Sequence, residues 1–291
     1  MTKILCPVDF SPGSKHAMRT AVRLAVASNA ELVLAHVWHV PPMMYAGELG
    51  VSGATVQAMV DDEELGLEAA VADAKALGAP KVSSKFLTGV PWDQLVDVVR
   101  ADPAFDLVVM GTHGRSGVSR FLIGSVAENV VRHAPCSVLA VHERDNQTTF
   151  RTILCPVDFS ESSQHATELA ARYVEPGKST ITLLHVLELP VTYSGDPSIP
   201  GFTESLDKHA SKLLEDWAVK LRATAKVPVV TKTRIGSPGG QTLALLDEQP
   251  PFDLVIVGSH GRTGIRRVLL GSVAEKIVRH APCPVLVARR R

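Results

Sequence analysis

Short apolar runs alternate along the chain with longer stretches in which apolar residues recur every three or four positions. "KILCPV" (3–8) is apolar after its lysine and is bounded by Asp9 and "SPGS", which suits a buried strand opening into a helix. "SKHAMRTAVRLAVASN" (14–29) has helical period, with Ala17, Ala21, Leu24, Ala25 and Ser28 along one face. A second strand is predicted over "ELVLAHVWHV" (31–40), ended by Pro41-Pro42, then a long helix over 54–77 and a strand over "KVSSKFLT" (81–88). "PWDQLVDVVRA" (91–101) carries proline in its first turn, where a missing N–H costs nothing. "FDLVVMG" (105–111) and "SVLAVH" (137–142) complete the set. Apolar strands separated by amphipathic helices indicate a parallel sheet covered on both faces.

The pattern occurs twice. "ILCPVDFS" at 4–11 returns unchanged at 153–160, and "GSVAENVVRHAPC" (124–136) returns as "GSVAEKIVRHAPC" (271–283), 11 of 13 positions matching. The offset is 149 at the first motif and 147 at the second. A period this long marks whole domains rather than solenoid repeats. The expected division is one domain over 1–143, a polar linker over 144–150 and a second domain over 151–291. The fold class is α/β: two tandem, doubly wound, Rossmann-like open parallel five-stranded sheets with helices on both faces.

Composition narrows the function classes. With 30 Lys plus Arg against 30 Asp plus Glu, nothing suggests a nucleic-acid groove or an anionic membrane surface. The chain shows no long uncharged apolar run and no secretory pattern, so a cytoplasmic protein is expected. Cys6, Cys136, Cys155 and Cys283 form no C-x-x-C pair and read as free thiols packed as small hydrophobes, with redox sensitivity at Cys136 and Cys283 as the alternative.

The candidate chemistry lies in "GTHGRSGVSRFLIGS" (111–125) and "GSHGRTGIRRVLLGS" (258–272). Each follows an apolar strand and ends at a helix start, and ligands of open α/β sheets sit at the carboxyl ends of strands. A helix amino terminus offers unpaired N–H groups to phosphate, and glycine lets backbone approach an anion or adopt positive φ. Ser125 and Ser272 add a hydroxyl or cap the helix. Neither G-x-G-x-x-G nor the P-loop string occurs, and "GKS" (177–179) has Arg172 where the first P-loop glycine would stand and leads into a strand. What remains is G-x-x-G, nine residues, then G-S, found twice.

With that pattern, the opening "ILCPVDFS" and the ending "GSVAENVVRHAPCSVLAV", the chain resembles tandem universal stress proteins of the ATP-binding subclass. The resemblance implies that Pro7, Val8 and Asp9, and likewise Pro156, Val157 and Asp158, contact adenosine, the aspartate facing ribose or a metal-bound phosphate. It implies that Val37 and Val186 meet adenine through their backbone. Gly111, His113, Gly114, Arg115, Gly124, Ser125 and Val126 would cradle phosphate, as would Gly258, His260, Gly261, Arg262, Gly271, Ser272 and Val273. The ligand is then ATP or another adenine nucleotide, with Mg²⁺ held only through its phosphates. The last strands of the two halves would pair, with further self-association open.

From the residues alone, Asp9 and Asp158 also read as helix caps, and His113 and His260 as hydrogen-bonding groups before general bases. His36 and His185 read as structural, and His133 and His280 as helix carboxyl-terminal cations. The loops 41–53 and 190–202 read as lids, docking surfaces or plain linkers. With no paired carboxylates or nucleophile–base pair in view, no catalytic residue is assigned. The expected protein binds nucleotide as a regulatory ligand in stress response. The alternatives are a slow ATPase and an interaction scaffold.

Overall fold

The computed structural model describes residues 1–39, 52–112, 123–142, 150–188, 202–248, 251–261 and 270–290. The linker expected over 144–150 lies almost wholly outside them, as do most of the two Pro/Gly-rich loops. The chain forms two compact units, Met1–Asp145 and Asn146–Arg290.

The first unit runs β1 (Lys3–Pro7), α1 (Pro12–Ser28), β2 (Glu31–Trp38), α2 (Gly53–Ala76), β3 (Lys81–Thr88), α3 (Pro91–Ala101), β4 (Phe105–Gly111), α4 (Ser125–His133) and β5 (Ser137–Val141). Helix α1 begins two residues before the expected start because Ser11 caps it and Pro12 occupies its first turn. It stops at Ser28 because Asn29 turns left-handed (φ 51°) and returns its N–H to the helix. Ala17, Ala21 and Ala25 face the core as the periodicity predicts, whereas Leu24 and Ser28 sit at its margin and Met18 and Val22 go inside.

The second unit repeats the order: β6 (Thr152–Pro156), α5 (Glu161–Ala170), β7 (Thr180–Leu187), α6 (Phe202–Ala225), β8 (Val229–Ile235), α7 (Pro238–Leu246), β9 (Leu254–Gly258), α8 (Ser272–His280) and β10 (Val285–Ala288). The "GKS" string ends at the mouth of strand β7, as the sequence reading required.

Within the first unit five parallel strands lie in the order β3-β2-β1-β4-β5, and within the second in the order β8-β7-β6-β9-β10. The winding reverses between β1 and β4, and between β6 and β9, which opens a crevice at their carboxyl ends. Ile4, Leu5, Leu32, Leu107 and Leu139 are fully buried in the first core, and Ile153, Leu154, Ile181 and Leu183 in the second. Each such side chain contributes roughly 1.5–3 kcal/mol on burial. At the opposite end, Asp106 accepts from the N–H of Thr2 and, at 2.8 Å, from its hydroxyl. Asp253 likewise accepts from the N–H groups of Arg151 (2.8 Å) and Thr152 (3.0 Å). These carboxylates tie the first strand of each unit to the strand beside it.

The units differ in one helix. α6 buries Ala210, Leu214, Ala218, Leu221 and Ala225, whereas the described buried residues of α2 are Leu67 and Ala74. Strand register explains how they correspond. Leu32 pairs with Val82, and Ile181 with Val229, so 32→181 is a shift of 149 while 82→229 is a shift of 147. Two residues are therefore lost between the second and third strands. Leu67 and Ala74 then match Leu214 and Leu221, again shifts of 147.

Candidate functional site

The turn after the first strand is built identically in both units. The Val8 N–H donates to the Ala35 carbonyl at 2.9 Å and the Val157 N–H to that of Leu184 at 2.8 Å, extending the strand pairing by one residue. The chain then bends through Phe10 (φ 65°) and Phe159 (φ 64°), a left-handed conformation that costs an aromatic residue about 1–2 kcal/mol. The rings offset that cost by packing. Phe10 stacks on His36 with centroids 4.7 Å apart, and Phe159 lies 4.5 Å from His185. Each histidine donates Nδ1–H to the valine carbonyl of the turn, His36 to Val8 at 2.7 Å and His185 to Val157 at 2.8 Å. His36 and His185 are thus structural, as the sequence suggested. Nε2 of His36 also lies 3.4 Å from the Glu63 carboxylate.

Asp9 and Asp158 are not themselves the helix caps. The caps are Ser11 and Ser160, whose oxygens accept the N–H of Ser14 and Ser163, each at 3.2 Å. Asp9 Oδ1 accepts from the Ser11 hydroxyl at 2.6 Å and its N–H at 3.1 Å, and Asp158 repeats both bonds with Ser160. The carboxylate braces the cap from outside the helix, because the left-handed residue between them folds it back.

The glycine loops meet this turn. An added Cβ at Gly261 would stand 2.9 Å from Oδ2 of Asp158, and one at Gly258 would stand 2.8 Å from the carbonyl carbon of Ser162 in α5. Neither Gly258, Gly261 nor Gly271 adopts positive φ, and Gly124 has φ −66°. Close backbone approach, not a left-handed turn, is what demands glycine here. The helix starts are clasped from below. The Gly124 N–H donates to the Thr112 carbonyl at 2.7 Å and the Gly271 N–H to that of Ser259 at 2.8 Å. Thr112 and Ser259 in turn donate to Val141 and Ala288 of the last strands, at 3.0 and 3.1 Å.

Ser125 and Ser272 do not cap their helices. Gly124 and Gly271 hold the cap positions, without a side-chain bond, and each serine is the exposed first helical residue. The first-turn N–H groups of α4 and α8 therefore have no side-chain cap, the arrangement that favours an anion. Val126 and Val273 follow, half-buried. Pro7 and Pro156 close their strands, Gly111 ends β4, and Val37 and Val186 are half-buried one residue past each histidine. His113, Gly114, Arg115 and Arg262 lie outside the described residues.

The structure adds a contact that sequence did not suggest. Nδ1 of His260 lies 2.9 Å from the hydroxyl of Ser259, and its N–H donates to the Ser162 hydroxyl at 3.3 Å. The first contact holds the imidazole and the second, made by the backbone N–H, fixes the loop against α5. Among the described residues no group of three His, Cys, Asp or Glu could hold a metal ion, and no helix is long and apolar enough to cross a membrane. Cys6 and Cys155 lie fully buried beneath the turns, and burial pushes both thiols far above their usual range.

Comparison with known proteins agrees with this geometry. Residues 1–142 and 149–289 each match the universal stress protein family. Universal stress protein Rv2005c of Mycobacterium tuberculosis is 27% identical over 305 residues, covering 99% of this chain and 97% of its own length. A universal stress protein of Archaeoglobus fulgidus superposes over 99% of this chain and 98% of its own, with a TM-score of 0.72 and 20% identity. A universal stress protein solved in complex with cAMP is 30% identical, covering 49% of this chain and 97% of its own, with a TM-score of 0.39.

Proposed function

We propose that this chain, which belongs to the universal stress protein family and carries two of its domains, binds ATP or a related adenine nucleotide in one or both domains as a regulatory ligand. The observation that carries the reading is the second crevice. There Asp158 faces Gly261, and the uncapped start of α8 at Gly271-Ser272 opens beside them. The residues fit an anionic nucleotide: N–H groups for the phosphates, and a carboxylate already oriented by Ser160 for a ribose hydroxyl or a phosphate-bound Mg²⁺. Pro156, Val157 and Val186 line the turn and strand where the adenosine end would rest. Pro7, Val8, Asp9 and Val37 with Gly124, Ser125 and Val126 hold the same positions in the first domain.

Binding rather than turnover is the reading. Asp158 Oδ1 accepts from Ser160 and Nδ1 of His260 lies against the Ser259 hydroxyl, contacts that orient both groups around a bound ligand. The test is to denature the purified protein and identify released ligand by mass spectrometry. An adenine nucleotide should be found, and Gly261→Val should lower its amount while the fold persists. Absence of nucleotide, together with no binding of added MgATP, would overturn the proposal. Fast ATP consumption lost in His260→Ala would overturn the regulatory role and leave the site.

A further inference from the structure

The first domain holds a partly open cavity of about 190 Å³ between α1 and α2. Its inner wall is Val8, Phe10 and Met18, its α2 side is Gly66 and Ala70, and the exposed Lys15 and Asp73 stand at its mouth. Apolar cavities of about 150 Å³ take up benzene-sized guests.

The second domain shows what this space accommodates. At the shift of 147 that aligns the two helices, Ala70 corresponds to Trp217 and Ala74 to Leu221. The Trp217 ring stands edge-on to Phe159, centroids 5.4 Å apart, as the left-handed Phe10 borders the first-domain cavity. One copy of the fold fills the place beneath this phenylalanine with an indole, and the other leaves it to alanine. Phe10 approaches α2 so closely that a Cβ at Gly66 would stand 3.0 Å from its ring, so α2 does not collapse further onto the gap.

We propose that this cavity is a binding site for a small flat aromatic molecule of indole size, seated edge-on to Phe10 and sharing only Val8 with the nucleotide crevice. Its polar edge would face outward between Lys15 and Asp73.

Isothermal titration of the full chain with indole tests this. One indole should bind per chain, and Ala70→Trp, which installs the second domain's own filling, should weaken binding at least tenfold. In the unmutated chain the Met18 methyl resonance, identified by its absence from Met18→Leu, should shift on titration, whether or not the Ala70 variant folds. No binding up to the solubility of indole, binding undiminished in a folded Ala70→Trp, or binding with an unmoved Met18 methyl would each overturn the site.

Discussion

The Ser11 hydroxyl donates to Oδ1 of Asp9 at 2.6 Å while its oxygen accepts the Ser14 N–H at the start of α1. One serine thereby joins the helix cap to the carboxylate proposed to face nucleotide. Asp9→Ala should cost about 1 kcal/mol, the scale of a weakened cap, and should reduce nucleotide recovered with the protein. Asp158→Ala should do the same in the second domain. Urea titration and released-nucleotide assays check both, and a variant with full nucleotide content would remove the aspartates from the site.

The glycines separate by what their missing Cβ would strike. At Gly258 it meets the backbone of Ser162 at 2.8 Å, which no rotamer change relieves. Gly258→Ala should therefore destabilise by about 1–3 kcal/mol. Gly53 has nothing within 4 Å, and Gly53→Ala should leave the unfolding midpoint unchanged or raise it. Thermal unfolding of the pair gives the comparison.

Much of this was legible from spacing. Strands apolar throughout and helices of period 3.6 leave little choice of class, and the doubled motif placed the glycine loops at strand ends. What escaped depended on contacts across the fold. The sequence "DFS" reads as an aspartate cap; the left-handed Phe10, held by the ring of His36, passes that place to Ser11. Asp106 and Asp253 were absorbed into strands read as apolar, though each anchors a neighbouring strand at its amino end. Spacing left both close approach and positive φ open for the loop glycines, and at Gly258 and Gly261 close approach is what the structure shows.

The thiols should be silent. Cys6 and Cys155 are wholly buried, while Cys136 and Cys283 are 2% and 6% exposed. At pH 8 the native protein should release almost no thionitrobenzoate from Ellman's reagent, and four equivalents after denaturation. A thiol reacting quickly in the folded chain would revive redox sensing at Cys136 or Cys283.

Burial lowers the His165 pKa below the ordinary 6.5, outweighing the bond its Nε2–H makes to the Arg289 carbonyl. The folded state thus resists a proton that the unfolded state accepts. Its contribution to stability is whole above about pH 6.5 and declines as pH falls through that value. The thermal midpoint should drop between pH 7.5 and 5.5, and drop less in His165→Gln.

Trp217 is half-buried against Phe159, so Trp217→Ala should destabilise the second domain by about 2 kcal/mol, below the cost of a wholly buried aromatic. Equilibrium urea unfolding followed by circular dichroism measures it. An unchanged profile would mean that the indole only rests on the surface.

The two residues lost between second and third strands set a rule for anyone moving side chains from one half of this chain to the other. Each helical residue turns the chain by about 100°, so a two-residue error is a rotation of roughly 200°. Transferred at the offset of the first strands, 149, Trp217 lands on the exposed Glu68; at 147 it lands on Ala70, above the cavity. The copies share one blueprint, but past the second strand they must be overlaid with a different ruler.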